Sequence, residues 1–303
     1  MKKVFSIILF FVLTFSFSQF KLPQKKDWEI ALNKPIVILQ LDESNEYASV
    51  YNTNIKKYAE EYFGANRIEK YLPYKEFKKF IKGNKEEYNF IGFQYDIVNH
   101  HGFFQIYFGI TGKAFMINGG YLSTVIYEDK STLFKKVTLK LTEADIKFAV
   151  GTFKNEIVNG FQTGDKSLRD LMKESKKSLK EINPTANALK GMTLLLDKDL
   201  LGENFINEFS KNYKYKFEAV DKSRIDSAIL NNEKDVAFLF EYCRPSSDSK
   251  FYTMLYIYKA EDNSLLFSYV PDRSSGIGFV DLIKGLTTNY SKEYVQMLNS
   301  VID

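Results

Sequence analysis

One order of elements occurs twice along this chain, and that repetition constrains the fold more than any single motif. The first pass opens with a strand, Pro35–Leu41, and a helix, Tyr47–Tyr62, with Tyr51, Ile55, Tyr58 and Tyr62 at helical spacing. A short strand, Arg67–Leu72, and a short amphipathic helix, Tyr74–Lys82, follow; the helix places Phe77, Phe80 and Ile81 on one face. Strands Tyr88–Val98 and Phe103–Thr111 flank Asn99-His100-His101-Gly102, which reads as a hairpin turn. Strands at Lys113–Ile117 and Tyr121–Tyr127 come next. The closing helix starts at Thr142, has Asp145 as its capping-box partner, and carries a stripe of Ile146, Val150, Phe153 and Ile157.

The second pass keeps that order. Met192–Leu196 is the strand, Gly202–Tyr213 the helix, Tyr215–Val220 the short strand and Ser223–Asn231 the short helix. Asp235–Cys243, Phe251–Ala260 and Ser264–Val270 are strands, with a tight turn at Glu261-Asp262-Asn263. A closing helix is expected to begin within Gly276–Leu286, and a last helix spans Ser291–Ile302. Leu72, Phe77 and Ile81 match Val220, Ile225 and Ile229, while Phe93-Gln94-Tyr95 matches Phe240-Glu241-Tyr242 if one residue is skipped. The expected fold class is α/β (α+β): a tandem duplication of a β-α-β-α-β-β-β-α unit with mixed, mostly antiparallel sheets. The units are 19–165 and 191–303. Between them, 166–190 reads as a helical linker, striped by Leu168, Leu171, Met172, Leu179 and Ile182 and stopped by Asn183-Pro184.

Residues 1–18 have the three parts of a secretory signal peptide: Lys2-Lys3, a largely apolar run from Val4 to Phe15, and small residues in Ser16-Phe17-Ser18. The apolar run is shorter than the roughly 20 residues a membrane span needs. The expectation is export to the periplasm or beyond, with cleavage near Ser18-Gln19 and no span in the remaining chain. Cleavage removes two lysines and lowers the formal net charge from +4 to +2. Lysines are interleaved with 38 acidic residues and arginine is scarce, so no nucleic-acid partner is expected. Cys243 is the only cysteine, which excludes an internal disulfide, and it reads as a small buried hydrophobe.

No catalytic constellation stands out. His100 and His101 are the only histidines, adjacent in a turn, where neighbouring side chains rarely share one metal. Gly109-Ile110-Thr111-Gly112-Lys113 lacks the spacing of a phosphate loop and reads as a β-turn. Ser274-Ser275-Gly276-Ile277-Gly278 lacks dinucleotide spacing and reads as a loop. The best intrinsic pointers to a ligand site are Asp42 and Glu43 after the first strand, and Asp197 and Asp199 after its counterpart, because α/β folds bind ligands beyond strand ends. No cofactor or metal is expected. Aromatic residues form 16% of the chain and crowd the repeated strands. His100, His101, Tyr252, Tyr256 and Tyr258 are therefore candidates for a partner-facing surface.

The second unit resembles the small α/β domain of curli-secretion lipoproteins and of the N-terminus of the Tol-system β-propeller protein. The resemblance rests on Met192-Thr193-Leu194-Leu195-Leu196, Val220-Asp221, Arg224-Ile225 and the polar turn at Glu261-Asp262-Asn263. The leader and the Lys/Asn/Ile/Phe/Tyr-rich body resemble exported Bacteroidetes-type proteins. The resemblance implies a non-enzymatic envelope or secreted protein acting through contact with another envelope or secreted protein. Two other readings are a small-ligand binder using a cleft between the units and a carboxylate-dependent hydrolase.

Overall fold

The computed structural model describes residues 23–98, 101–113, 115–126, 141–164, 177–245, 250–269, 277–278 and 288–302. The leader, His100, most of Gly276–Leu286 and the first part of the linker helix lie outside the described residues.

The first sheet contains β1 (Ile36–Gln40), β2 (Ile68–Pro73), β3 (Asn89–Val98), β4 (His101–Ile110) and β5 (Met116–Ile126), in the order β2-β1-β3-β4-β5. β1 runs parallel to β2 and β3, and the remaining pairs are antiparallel. The second sheet contains β6 (Thr193–Asp197), β7 (Phe217–Val220), β8 (Val236–Pro245), β9 (Lys250–Lys259) and β10 (Leu265–Tyr269). It has the same order and the same parallel and antiparallel senses, with a short β11 (Ile277–Gly278) added against β9. The duplicated mixed α/β unit is therefore present.

Among the described residues the helices are α1 (Lys25–Asn33), α2 (Ala48–Phe63), α3 (Tyr74–Gly83), α4 (Glu143–Thr163), α5 (Leu179–Ile182), α6 (Lys198–Asn212), α7 (Lys222–Leu230) and α8 (Thr288–Ile302). Right-handed crossovers decide their placement. The chain leaves β1 through α2 to reach β2, then returns past β1 through α3 to reach β3. Two moves in opposite directions put the two helices on opposite faces. Accordingly Ile36, Ile38, Ile91, Ile106 and Phe108 pack with α2 and α4, while Val37, Leu39, Leu72, Phe90 and Tyr107 pack toward α3. In the second unit Leu194, Leu196, Leu255 and Ile257 meet α6 and α8, while Leu195, Val236 and Phe238 meet α7.

Several expectations need correction. The chain carries one continuous β5 where two strands were expected; it bulges opposite Gln105–Tyr107, so Asn118-Gly119-Gly120 is absorbed in the strand. Ile277–Gly278 is strand, not helix, while the rest of Gly276–Leu286 lies outside the described residues; the expected last helix is α8. Of the expected linker helix only the part after residue 176 lies among the described residues; it holds the single turn α5, capped by Ser178, and a 3-10 segment at Ala186–Gly191. Helix α1 was not expected. It is tied down by Asn89, whose amide donates to the carbonyls of Ile30, Ala31 and Lys34. The Gly109–Lys113 segment is the expected turn: the Lys113 N–H donates to the Ile110 carbonyl, with Gly112 at φ 74°.

Candidate interaction face

Of the four predicted carboxylates, Asp42 and Asp197 serve as turn and cap groups. Asp42 is exposed and accepts from the N–H and hydroxyl of Ser44, which hold its carboxyl below the ordinary value. Glu43 is exposed. Asp197 is buried and caps α6, accepting from the N–H groups of Asp199 and Leu200 at 3.0 and 3.1 Å. Burial pushes its carboxyl up more than those two bonds pull it down. Asp199 is exposed. The two pairs stand at the ends of strands in different sheets. Among the described residues, no group of three or more His, Cys, Asp or Glu could hold a metal ion.

His101 opens β4, opposite Val98, and Tyr252 lies in β9 opposite Arg244; their side chains lie outside the described residues, as does that of Cys243 in β8. Tyr256 is half-buried. Tyr258 is 8% exposed, so it faces the interior of this chain and not an outside partner.

What Tyr258 meets is α4. This helix closes the first unit with Ile146, Val150 and Phe153 and turns its other side to the second unit. Phe148 of α4 sits among Phe238, Phe240 and Tyr258, with ring centroids 5.2, 5.1 and 4.8 Å away. Such pairs contribute about 0.5–1.5 kcal/mol each beyond burial. Polar groups fix the angle of approach. Lys222, at the start of α7, pairs with Asp145 of α4 at 2.8 Å and with Asp226. Burial pulls the Lys222 ammonium down, but the two carboxylates outweigh it and hold it above its ordinary value. Burial pushes Asp226 up, against the pull of Lys222. Lys147 of α4, itself buried, donates to the Leu230 carbonyl at 2.9 Å, and burial lowers its ammonium. At the far end the β9–β10 turn enters the first unit. The Asn263 amide donates to the Tyr62 hydroxyl at 3.1 Å, and Asn155 donates to the Asp262 carbonyl at 2.9 Å. Gly151 makes the approach possible, because a Cβ there would strike Asn263. The described seam between the units is thus filled with side chains.

The second unit therefore presents its α7 face to a helix. The equivalent face of the first unit can be identified by strand pairing. Leu39 pairs with Leu72 as Asp197 pairs with Val220, and Val37 pairs with Phe90 as Leu195 pairs with Phe238. Leu72 and Val220, Phe90 and Phe238, and the starts of α3 and α7 are each 148 residues apart. The offset is unbroken. The match of Phe93 to Phe240 is out by one residue, which puts the two side chains on opposite faces of their sheets.

On this alignment Tyr74, Phe77, Lys78 and Ile81 of α3 stand where Lys222, Ile225, Asp226 and Ile229 stand on α7. Ile225, Ala228 and Ile229 are buried, whereas no residue of α3 is, and Tyr74 is 46% exposed. Beneath the helices the sheets differ too. Gly92 and Gly109 occupy the sites of Phe240 and Tyr258. The ring of Tyr107 lies over Gly92, where a Cβ would come within 2.7 Å of it, and the ring of Phe90 lies over Gly109. Phe77 of α3 packs on Phe90 at 4.7 Å. The first unit has a flat, self-covered aromatic floor beside an exposed helix. No family model, curated protein or solved structure matches this chain.

Proposed function

We propose that this is an exported, non-enzymatic protein that works by contact with another envelope or secreted protein. The observation that carries this reading is the difference between two equivalent faces. The α7 face takes a helix, α4, and buries three of its own residues; the α3 face buries none. A half-apolar helix surface without such cover is what a contact site presents before its partner arrives. The signal-like leader and the turn and cap duties of Asp42 and Asp197 are in keeping with it.

Export is tested by expressing the full chain in a Gram-negative host. The expected product lies outside the cytoplasm and begins at Gln19; a full-length product retained in the cytoplasm overturns export. Contact is tested by crosslinking in the native envelope. Discrete heteromeric adducts are expected, and a solitary monomer under every condition overturns the reading.

A further inference from the structure

The chain contains its own example of what covers such a face. On α7 the residues Lys222, Ile225, Asp226 and Ile229, at helical i, i+3, i+4 and i+7 spacing, meet α4 through apolar contact and an ion pair to Asp145. On α3 the same positions hold Tyr74, Phe77, Lys78 and Ile81. The apolar part is kept and enlarged, while the mixed Lys/Asp pair becomes a tyrosine and a lysine. Lys75, Lys79 and Lys82 add positive charge beside the strip, against the single acid Glu76. We propose that this strip of α3 docks one amphipathic helix of a partner protein, apolar along its centre and acidic along its flank, laid across α3 as α4 lies across α7.

The inference rests on the contact reading above and narrows it. A helix like α4 is a poorer match: beside Asp145 it carries Lys147 on its docking side, which at the equivalent place would meet the Lys82 end of α3. A second copy of the chain is a poor donor as well. The docking side of α4 is already occupied by the second unit, and the outward residues of α8 (Lys292, Glu293, Gln296) are exposed and polar. The floor beside α3 favours a helix laid on top over a knob inserted deeply, because Tyr107 and Phe90 fill the places above Gly92 and Gly109.

The probe is a synthetic leucine/glutamate amphipathic helix, with a leucine/lysine twin and phosphatidylglycerol–phosphatidylcholine vesicles as competitors, titrated against the full exported chain. The glutamate peptide is expected to bind and the lysine twin to bind at least about tenfold more weakly, a discrimination of 1.4 kcal/mol or more. Phe77→Asp should abolish binding. Lys78→Glu, at an exposed position, should weaken it about tenfold with the fold intact, and it keeps the test readable where Phe77→Asp unfolds. Equal binding of both peptides, vesicle binding without peptide binding, or self-association lost in Lys78→Glu would each overturn the proposal. A photocrosslinker at position 77, compared with one at 296, separates this proposal from the broader reading. Heteromeric adducts from 296 alone, or a crosslink within one chain from 77, sink the docking strip and leave contact standing. Adducts from neither position sink the docking strip and leave the broader reading to the envelope crosslinking above.

Discussion

The two short helices, α3 and α7, begin from the same place in the same topology and end in opposite circumstances. Helix α7 is pressed between its sheet and α4, with Ile225 and Ile229 at 4% and 3% exposure. Among the described residues no second helix covers α3 on its sheet, and its Phe77, Phe80 and Ile81 are only half-covered. The difference does not come from α3 and α7 themselves, since both are amphipathic. It comes from what α4 can reach, and from the sheet beneath. Phe240 and Tyr258 rise to form the nest for Phe148, whereas Gly92 and Gly109 let neighbouring rings lie down. A duplicated unit can thus specialise one face by exchanging two aromatics for two glycines.

That comparison can be broken in several ways. The largest effect is expected from Phe148→Ala, which empties the nest shared by the two units and should cost about 3–5 kcal/mol. Urea unfolding should then split toward two transitions, one per unit; an unchanged midpoint would show that Phe148 does not join them. Next comes a matched pair. Ile229→Ala should cost about 2–5 kcal/mol and Ile81→Ala about 1 kcal/mol, because only the first is fully buried. Equal losses in denaturant titrations would mean that α3 is covered as well as α7. Gly109→Ala drives a methyl into the Phe90 ring and should cost about 1–3 kcal/mol, read as a lowered melting temperature. No loss would mean that Phe90 swings away freely and that the floor is not fixed.

The smallest effect concerns how the end of α7 is anchored. Arg224 grips Glu233 with two bonds of 2.6 and 2.7 Å, which hold the Glu233 carboxyl below its ordinary 4.5. A depressed acid adds stability above pH 4.5 and loses it as pH falls through the lowered value. Both partners are over a third exposed, so solvent screening limits the contribution to about 0.3–1 kcal/mol. Glu233→Gln should flatten the acid limb of the melting curve; identical acid limbs for both proteins would remove the clamp from the account.

Much of the fold was legible because it depends on local periodicity. The order of elements, the first strand of each unit and the Thr142–Asp145 capping box all follow from alternation, helical stripes and cap chemistry. The shared role of α4 was missed, although a signal for it exists. Every residue from Ala144 to Phe153 is buried, lysine and aspartate included, and the sequence over that stretch is small or apolar nearly all round. Such a helix has protein on both sides. The spacing of Tyr74–Lys82 shows an amphipathic helix, but nothing in it says whether its apolar side is shared. That depends on Gly92 and Gly109, distant in sequence and brought under it by strand register. Alternation gives the parity of the strand that carries Tyr258 but not which side has a neighbour, so the sequence alone does not show that Tyr258 faces inward.

The glycine floor has one more consequence. The seam joins unlike surfaces, the α7 face of one unit and the α4 side of the other, so it is a head-to-tail contact that does not close on itself. Contacts of that kind propagate into filaments when both ends stay competent. Here neither end is. The trailing end carries α8, polar on its outer side, and the leading end has no cavity for a Phe148-like knob, since Tyr107 and Phe90 already fill it. Gly92 and Gly109 therefore leave the α3 face without a socket of the kind that Phe148 fills in the seam.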